Sequence, residues 1–146
     1  MTNADTRWKQ RFTNYKKAHT RLKYAAAFFE EKSVGGTEAH IAEAYIAMEA
    51  LIKCFEFTFE LAWQTMKDFI SYKGYVRDIY GSRDSIRGAQ QFNLIQNGQI
   101  WIDMIDDRNH AAHAYDETSA ASLSGRIIKY YRDEFIKFEE KMDTFL

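Results

Sequence analysis

Residues 108–115 read Arg-Asn-His-Ala-Ala-His-Ala-Tyr, placing a guanidinium, an amide, two imidazoles and a phenol within eight positions. His110 and His113 are two of only four histidines in the chain. An imidazole titrates near neutrality and can act as general acid or base. A guanidinium can grip a phosphate with two donors and offset charge that develops in phosphoryl transfer. Without a metal, Arg108 and His113 suit RNA cleavage: a base deprotonates a 2′-hydroxyl, that oxygen attacks the adjacent phosphate, and an acid serves the leaving group. A zinc site is less attractive. His110 and His113 stand at i and i+3, but no carboxylate or further histidine has an obvious third-ligand spacing. The same residue types also have a plain structural use, because Arg and His near a helix C-terminus favour the helix dipole and bond its last carbonyls.

The elements that must position these groups are helical. The 146 residues include no proline and only seven glycines, too few turn formers for an all-β chain. Hydrophobic residues at 46% and charged residues at 28% describe a globular chain, expected to form one domain over residues 1–146. In the first segment, Asp5 to Lys32, Trp8, Phe12, Tyr15, His19, Leu22, Ala26 and Phe29 recur at steps of three and four, one buried helix face. The second, Glu38 to Lys73, is apolar almost all round, with a polar strip of Glu49, Lys53, Glu56, Glu60, Gln64 and Lys67. Such a helix is a central element, a subunit interface, or both.

Gly74 to Gly81 reads as a loop, with Val76 and Ile79 leaving room for a short strand. A third helix is expected over Arg83 to Ile95, ended by Gly98 in a left-handed conformation. The fourth runs from Gln99 into the motif. Asp116 or Thr118 caps the fifth, whose buried stripe is Ile127, Tyr131, Phe135, Phe138, Met142 and Phe145. The expected fold is all-α, an antiparallel up-and-down bundle of about five helices with a four-helix-bundle core.

Helical arithmetic constrains the motif. Arg108 and His113 are five residues apart, about 140° around a regular helix. They converge only if the helix ends or bends near Ala112, or if a second copy of the chain completes the site, which points to a homodimer. Asn109 and His113 are at i and i+4, within reach of each other. Tyr115 shares the Trp101–Ile105 stripe and could be packing or a functional phenol. His110 reads as a neighbour that could contribute to binding. Glu56 and Glu60, also at i and i+4, are either paired surface carboxylates or a binding site in which one pKa is raised. His19 reads as a core histidine and Cys54 as a buried thiol.

A net charge of −1 gives no global sign of nucleic-acid binding. Five carboxylates, Asp103, Asp106, Asp107, Asp116 and Glu117, surround the motif and repel an RNA backbone unless the lysines of the first helix or a partner offset them. The polar N-terminus is no signal peptide, and no apolar run reaches the ~20 residues of a membrane span, so a soluble cytoplasmic protein is expected.

"RNHAAHAY" resembles the R-x4-H-x-Y motif of the HEPN superfamily. Three blocks, residues 55–69, 81–101 and 104–117, are similar in order to the bacterial family described as nucleotidyltransferase substrate-binding proteins. The resemblance implies a helical bundle, usually dimeric, working with a small, separately encoded minimal nucleotidyltransferase. Related HEPN proteins are RNase toxins, and in related pairs the nucleotidyltransferase is an antitoxin that adds AMP to the motif tyrosine. The resemblance gives Arg108 and His113 as the catalytic pair, Asn109 as the accessory polar residue and Tyr115 as the AMP acceptor. It implies no cofactor of the chain's own, since ATP would be used by the partner. The sequence lacks the glycine–serine signature and paired aspartates of a nucleotidyltransferase, so it is not expected to transfer nucleotides by itself. A nucleotide- or substrate-binding scaffold without catalysis, which only docks the nucleotidyltransferase, is the other reading.

Overall fold

The computed structural model describes residues 3–113 and 116–146, with Ala112 and His113 described through their backbone alone. Helix α1 spans Asn3–Lys32, and its buried residues are Trp8, Phe12, Tyr15, His19, Leu22 and Ala26 of the expected stripe, while Phe29, expected to extend it, is only partly buried. Gly35 turns the chain with φ +124°, a conformation that suits glycine. Thr37 then opens α2 (Glu38–Tyr72), its hydroxyl accepting from the His40 backbone N–H at 3.2 Å.

Helix α2 is the central element, packing against α1 and also touching α3, α4 and α5. Most of residues 38–46 are exposed, and burial begins at Ala47 and Met48. After Gly74, Val76 is almost fully exposed and no strand forms; among the described residues there is no strand at all.

Helix α3 (Ser82–Gln91) is shorter than its apolar pattern predicts. Asn93, with φ +59°, supplies the left-handed residue, and Leu94 N–H turns back to Ala89 O at 2.9 Å. Asparagine tolerates this region better than most residues. Gly98, expected to end α3, instead begins α4 (Gly98–His113). It is buried against Gln90, and a Cβ there would overlap the Gln90 amide.

The last stretch is continuous: α5 (Glu117–Arg126), a π-helical turn (Ile127–Tyr131) and α6 (Arg132–Asp143). Of the two candidate caps, Asp116 does the work, accepting from Ser119 N–H at 2.7 Å.

These helices form an all-α antiparallel up-and-down bundle. Phe135 of α6 lies at its centre, its ring 5.4 Å from Trp101, 6.2 Å from Phe55 and 6.5 Å from Tyr15. Tyr15 Oη donates to the Phe135 carbonyl at 2.8 Å, so the one polar atom of that ring is satisfied. Burying each such aromatic contributes about 1.5–3 kcal/mol. The N-terminal half of α4, which leads into the motif, is anchored by Trp101, Met104 and Ile105, all buried. No helix is long and apolar enough to cross a membrane.

Candidate functional site

Helix α4 stays helical through His113. Five helical residues therefore separate Arg108 from His113, an offset of roughly 140° on a regular helix. Tyr115 lies outside the described residues.

Arg108 extends the buried Trp101–Ile105 stripe and reaches α2. Its Nη2 is 3.9 Å from Glu60 Oε2, an ion-pair distance rather than a hydrogen bond. Glu60 is itself fixed: Trp63 Nε1 and Gln64 Nε2 each donate to it at 3.0 Å. Gln64 in turn accepts from Arg11 Nη1, whose Nε donates to Asp68 at 3.1 Å. A polar relay thus runs from α1 along the α2 strip to Arg108. Glu56 is not part of it; its carboxylate lies 3.7 Å from Lys53. The two glutamates do not share a buried site. Asn109 and His110 are exposed.

Asp107 points a helical step away from Arg108, towards α5. Arg126 Nε and Nη2 donate to its two oxygens at 2.8 and 2.7 Å, and Tyr131 Oη donates to the same carboxylate. Arg126 and Tyr131 are five residues apart, on different faces of an α-helix. The π-turn between them, in which Arg132 N–H reaches Ile127 O, aligns i with i+5 and brings both to Asp107. Burial, followed by the Asp107 hydrogen bond and charge, raises the Tyr131 pKa far above its ordinary value, so the phenol stays protonated. The Asp107 hydrogen bond raises that of Arg126.

Sequence reasoning missed this triad. It counted Asp107 among five carboxylates that would repel RNA, whereas Arg126 neutralises it in place. Two of the α1 lysines are paired with other carboxylates: Lys9 lies 3.1 Å from Asp5 and Lys16 3.7 Å from Asp143. The available signal was an Arg and a Tyr five apart, opposite an acidic helix end. Period-3.6 reading places such residues on different faces.

Beside the triad is a cleft of about 310 Å³ between α4 and α5, with Asp107, His110 and Arg126 on its walls and Ile52, Ala111 and Leu123 as apolar lining. Among the described residues, no three His, Cys, Asp or Glu side chains cluster as metal ligands. Cys54 is half-buried and unpaired by a disulfide, its thiol pKa raised by burial.

Residues 10–144 match the family described as nucleotidyltransferase substrate binding protein like. The chain belongs to that family. Over 79 residues this family member is 33% identical to the probable ribonuclease HepT of Haemophilus influenzae, a match covering 52% of the chain and 54% of the relative. The match therefore spans about half the length of that curated relative.

Two solved structures share its fold. The tri-AMPylated HEPN toxin of Shewanella oneidensis, in complex with an MNT antitoxin, aligns with a TM-score of 0.70 at 16% identity, covering 99% of both chains. A substrate-binding domain of a nucleotidyltransferase from Haemophilus influenzae aligns with a TM-score of 0.64 at 22% identity, covering 97% of this chain and 99% of that one. The family and the fold are thereby those implied by the motif and the three sequence blocks.

Proposed function

We propose that this chain is the helical partner of a small, separately encoded nucleotidyltransferase. The pair would be a cytoplasmic two-component system of toxin–antitoxin type. The observation that carries the reading is family membership across residues 10–144, joined to a motif arginine held in place at the end of α4.

In this reading the chain, as a single helical domain, assembles as a homodimer. The dimer accounts for the 140° offset, because a second copy supplies the facing residues. The neutral imidazole of His113 takes the proton of the RNA 2′-hydroxyl. The 2′-oxygen attacks phosphorus, Arg108 stabilises the charge that develops on the phosphoryl oxygens, and the P–O5′ bond breaks. The protonated His113 of the second copy supplies the proton to the departing 5′-oxygen, leaving a 2′,3′-cyclic phosphate. Asn109 is the accessory polar residue, with His110 beside it. The partner uses ATP to transfer AMP to Tyr115, which adds charge and bulk two residues past His113 and switches the pair off. Glu60, an expected binding residue, acts through Arg108.

A second reading is a scaffold that docks the nucleotidyltransferase without catalysis. One observation favours it: Arg108, in the motif, and Arg126, opposite Asp107, each already face a carboxylate.

The test uses RNA incubated with the protein in EDTA, with Arg108→Ala and His113→Ala as controls. The first reading expects cleavage by wild type that both variants lose. Cleavage by all three, or by none, overturns it. Separate peaks for the chain and its nucleotidyltransferase in size-exclusion chromatography at micromolar concentration overturn both readings.

A further inference from the structure

The Asp107–Arg126 pair is made side-on. Nε and Nη2 of the guanidinium are spent on the carboxylate at 2.8 and 2.7 Å. Nη1 has no hydrogen-bond partner among the described residues, and Arg126 lines the cleft between α4 and α5. A guanidinium held by one edge presents its other edge, Nη1 with the remaining Nη2 hydrogen, as a rigid two-donor fork. Asp107, Tyr131 and the π-turn fix its direction.

The cleft has further features of a binding site. At about 310 Å³ it is at the lower end of the range usual for small-ligand sites, roughly 300–1,000 Å³. Ile52, Ala111 and Leu123 give it an apolar side, on which the face of a planar ring can lie. His110 offers a ring and Ser119 and Ser122 offer hydroxyls on the polar side. Because Asp107 cancels most of the Arg126 charge, the site suits a ligand with two adjacent acceptors better than one bound by charge alone.

We infer that this cleft is a subsite for one nucleotide of single-stranded RNA, read by the free edge of Arg126. The inference rests on RNA being the substrate of the Arg108–His113 site, and adds a specificity determinant to it. Two parts of a nucleotide carry paired acceptors: the O6 and N7 of guanine, and a phosphate. Adenine places its N6 donor against the arginine and is refused on that edge.

The experiment is fluorescence anisotropy with labelled RNA hexamers, one G-containing, one with A in place of G. The protein is full-length and carries His113→Ala, so that no cleavage occurs. Arg126→Gln in that background is expected to weaken binding of the G-containing hexamer about tenfold, the loss of one two-pronged contact. If guanine is read, the A-substituted hexamer binds as weakly before the substitution. If phosphate is read, both hexamers weaken equally and the slope of log Kd against log salt falls by about one.

Arg126→Gln can unsettle α5, so Ser122→Phe, an exposed position on the cleft wall, provides a second variant that fills the cleft and leaves the triad intact. The same loss is expected from it. Unchanged affinity in a folded variant of either kind, or no RNA binding by the parent, overturns the subsite. Failure of the cleavage reading is distinct: Arg126-dependent binding would persist while Arg108→Ala and His113→Ala leave RNA cleavage unchanged.

Discussion

Glu60 of α2 and Arg108 of α4 face each other at 3.9 Å, with Glu60 anchored by Trp63 and Gln64. The carboxylate holds the motif arginine over α2 and also competes for it with any phosphate. Both side chains are partly exposed, so the pair adds at most about 1 kcal/mol to stability. Glu60→Gln keeps an acceptor for Trp63 and removes the negative charge. It should leave the unfolding midpoint nearly unchanged and tighten RNA binding about two- to fivefold at low salt, a gain that fades as salt screens the charge. Anisotropy across a salt series checks this, and weaker binding by Glu60→Gln would count against a phosphate-facing Arg108.

Asp107 has a heavier structural role. Its removal leaves Tyr131, which is buried, without an acceptor and Arg126 without its carboxylate. Asp107→Ala should cost about 1.5–3 kcal/mol, the usual value for hydrogen bonds to a charged group. Asp107→Asn, which keeps one acceptor, should cost less. Urea unfolding of both variants measures the difference.

His19 makes the fold sensitive to acid. It is buried against the Tyr15 and Phe135 rings, with Nδ1 2.8 Å from Glu139 and no partner for Nε2. The neutral ring donates Nδ1–H to Glu139, and a second proton would sit on a buried nitrogen with nowhere to donate. Desolvation therefore lowers its pKa below the ordinary 6.5, against the opposing pull of Glu139. The unfolded chain binds that proton more readily. The stabilising contribution is complete above about pH 6.5 and is lost as pH falls through the folded value. Stability measured at pH 7.5 and 5.5 should fall less in His19→Gln than in wild type. An equal fall in both would mean that other groups carry the effect.

Phe135 is the packing centre of the bundle, touching rings from α1, α2 and α4. Phe135→Ala opens a cavity that four aromatic neighbours are too rigid to fill. The expected cost is about 3–5 kcal/mol by denaturant unfolding. A cost below 1 kcal/mol would contradict this account of the core.

The long helices were legible because their apolar residues repeat without a break. The α1 stripe from Trp8 to Ala26 is buried as read, and α2 is central, as its nearly all-round apolar pattern allowed. The end of α3 was misplaced because the turn uses Asn93 rather than Gly98, and an asparagine in a left-handed turn has no signature against an apolar run. The Arg108–Glu60 contact joins two residues that were each named as candidates, but helical periodicity carries no information about which helix faces which. The π-turn was invisible for a deeper reason. The stripe Ile127, Tyr131, Phe135, Phe138 and Met142 is buried as read, so apolar spacing does not reveal the turn, and the Asp107–Arg126–Tyr131 contacts that accompany it are tertiary.

The central claim, that a nucleotidyltransferase partner controls the motif at the end of α4, is tested most directly by intact-mass spectrometry of the chain purified with and without that partner. The account predicts mass gains in steps of one AMP only when the active partner is present, and none in Tyr115→Phe. An unmodified mass in the presence of an active partner and ATP, or the same gain in Tyr115→Phe, would contradict it.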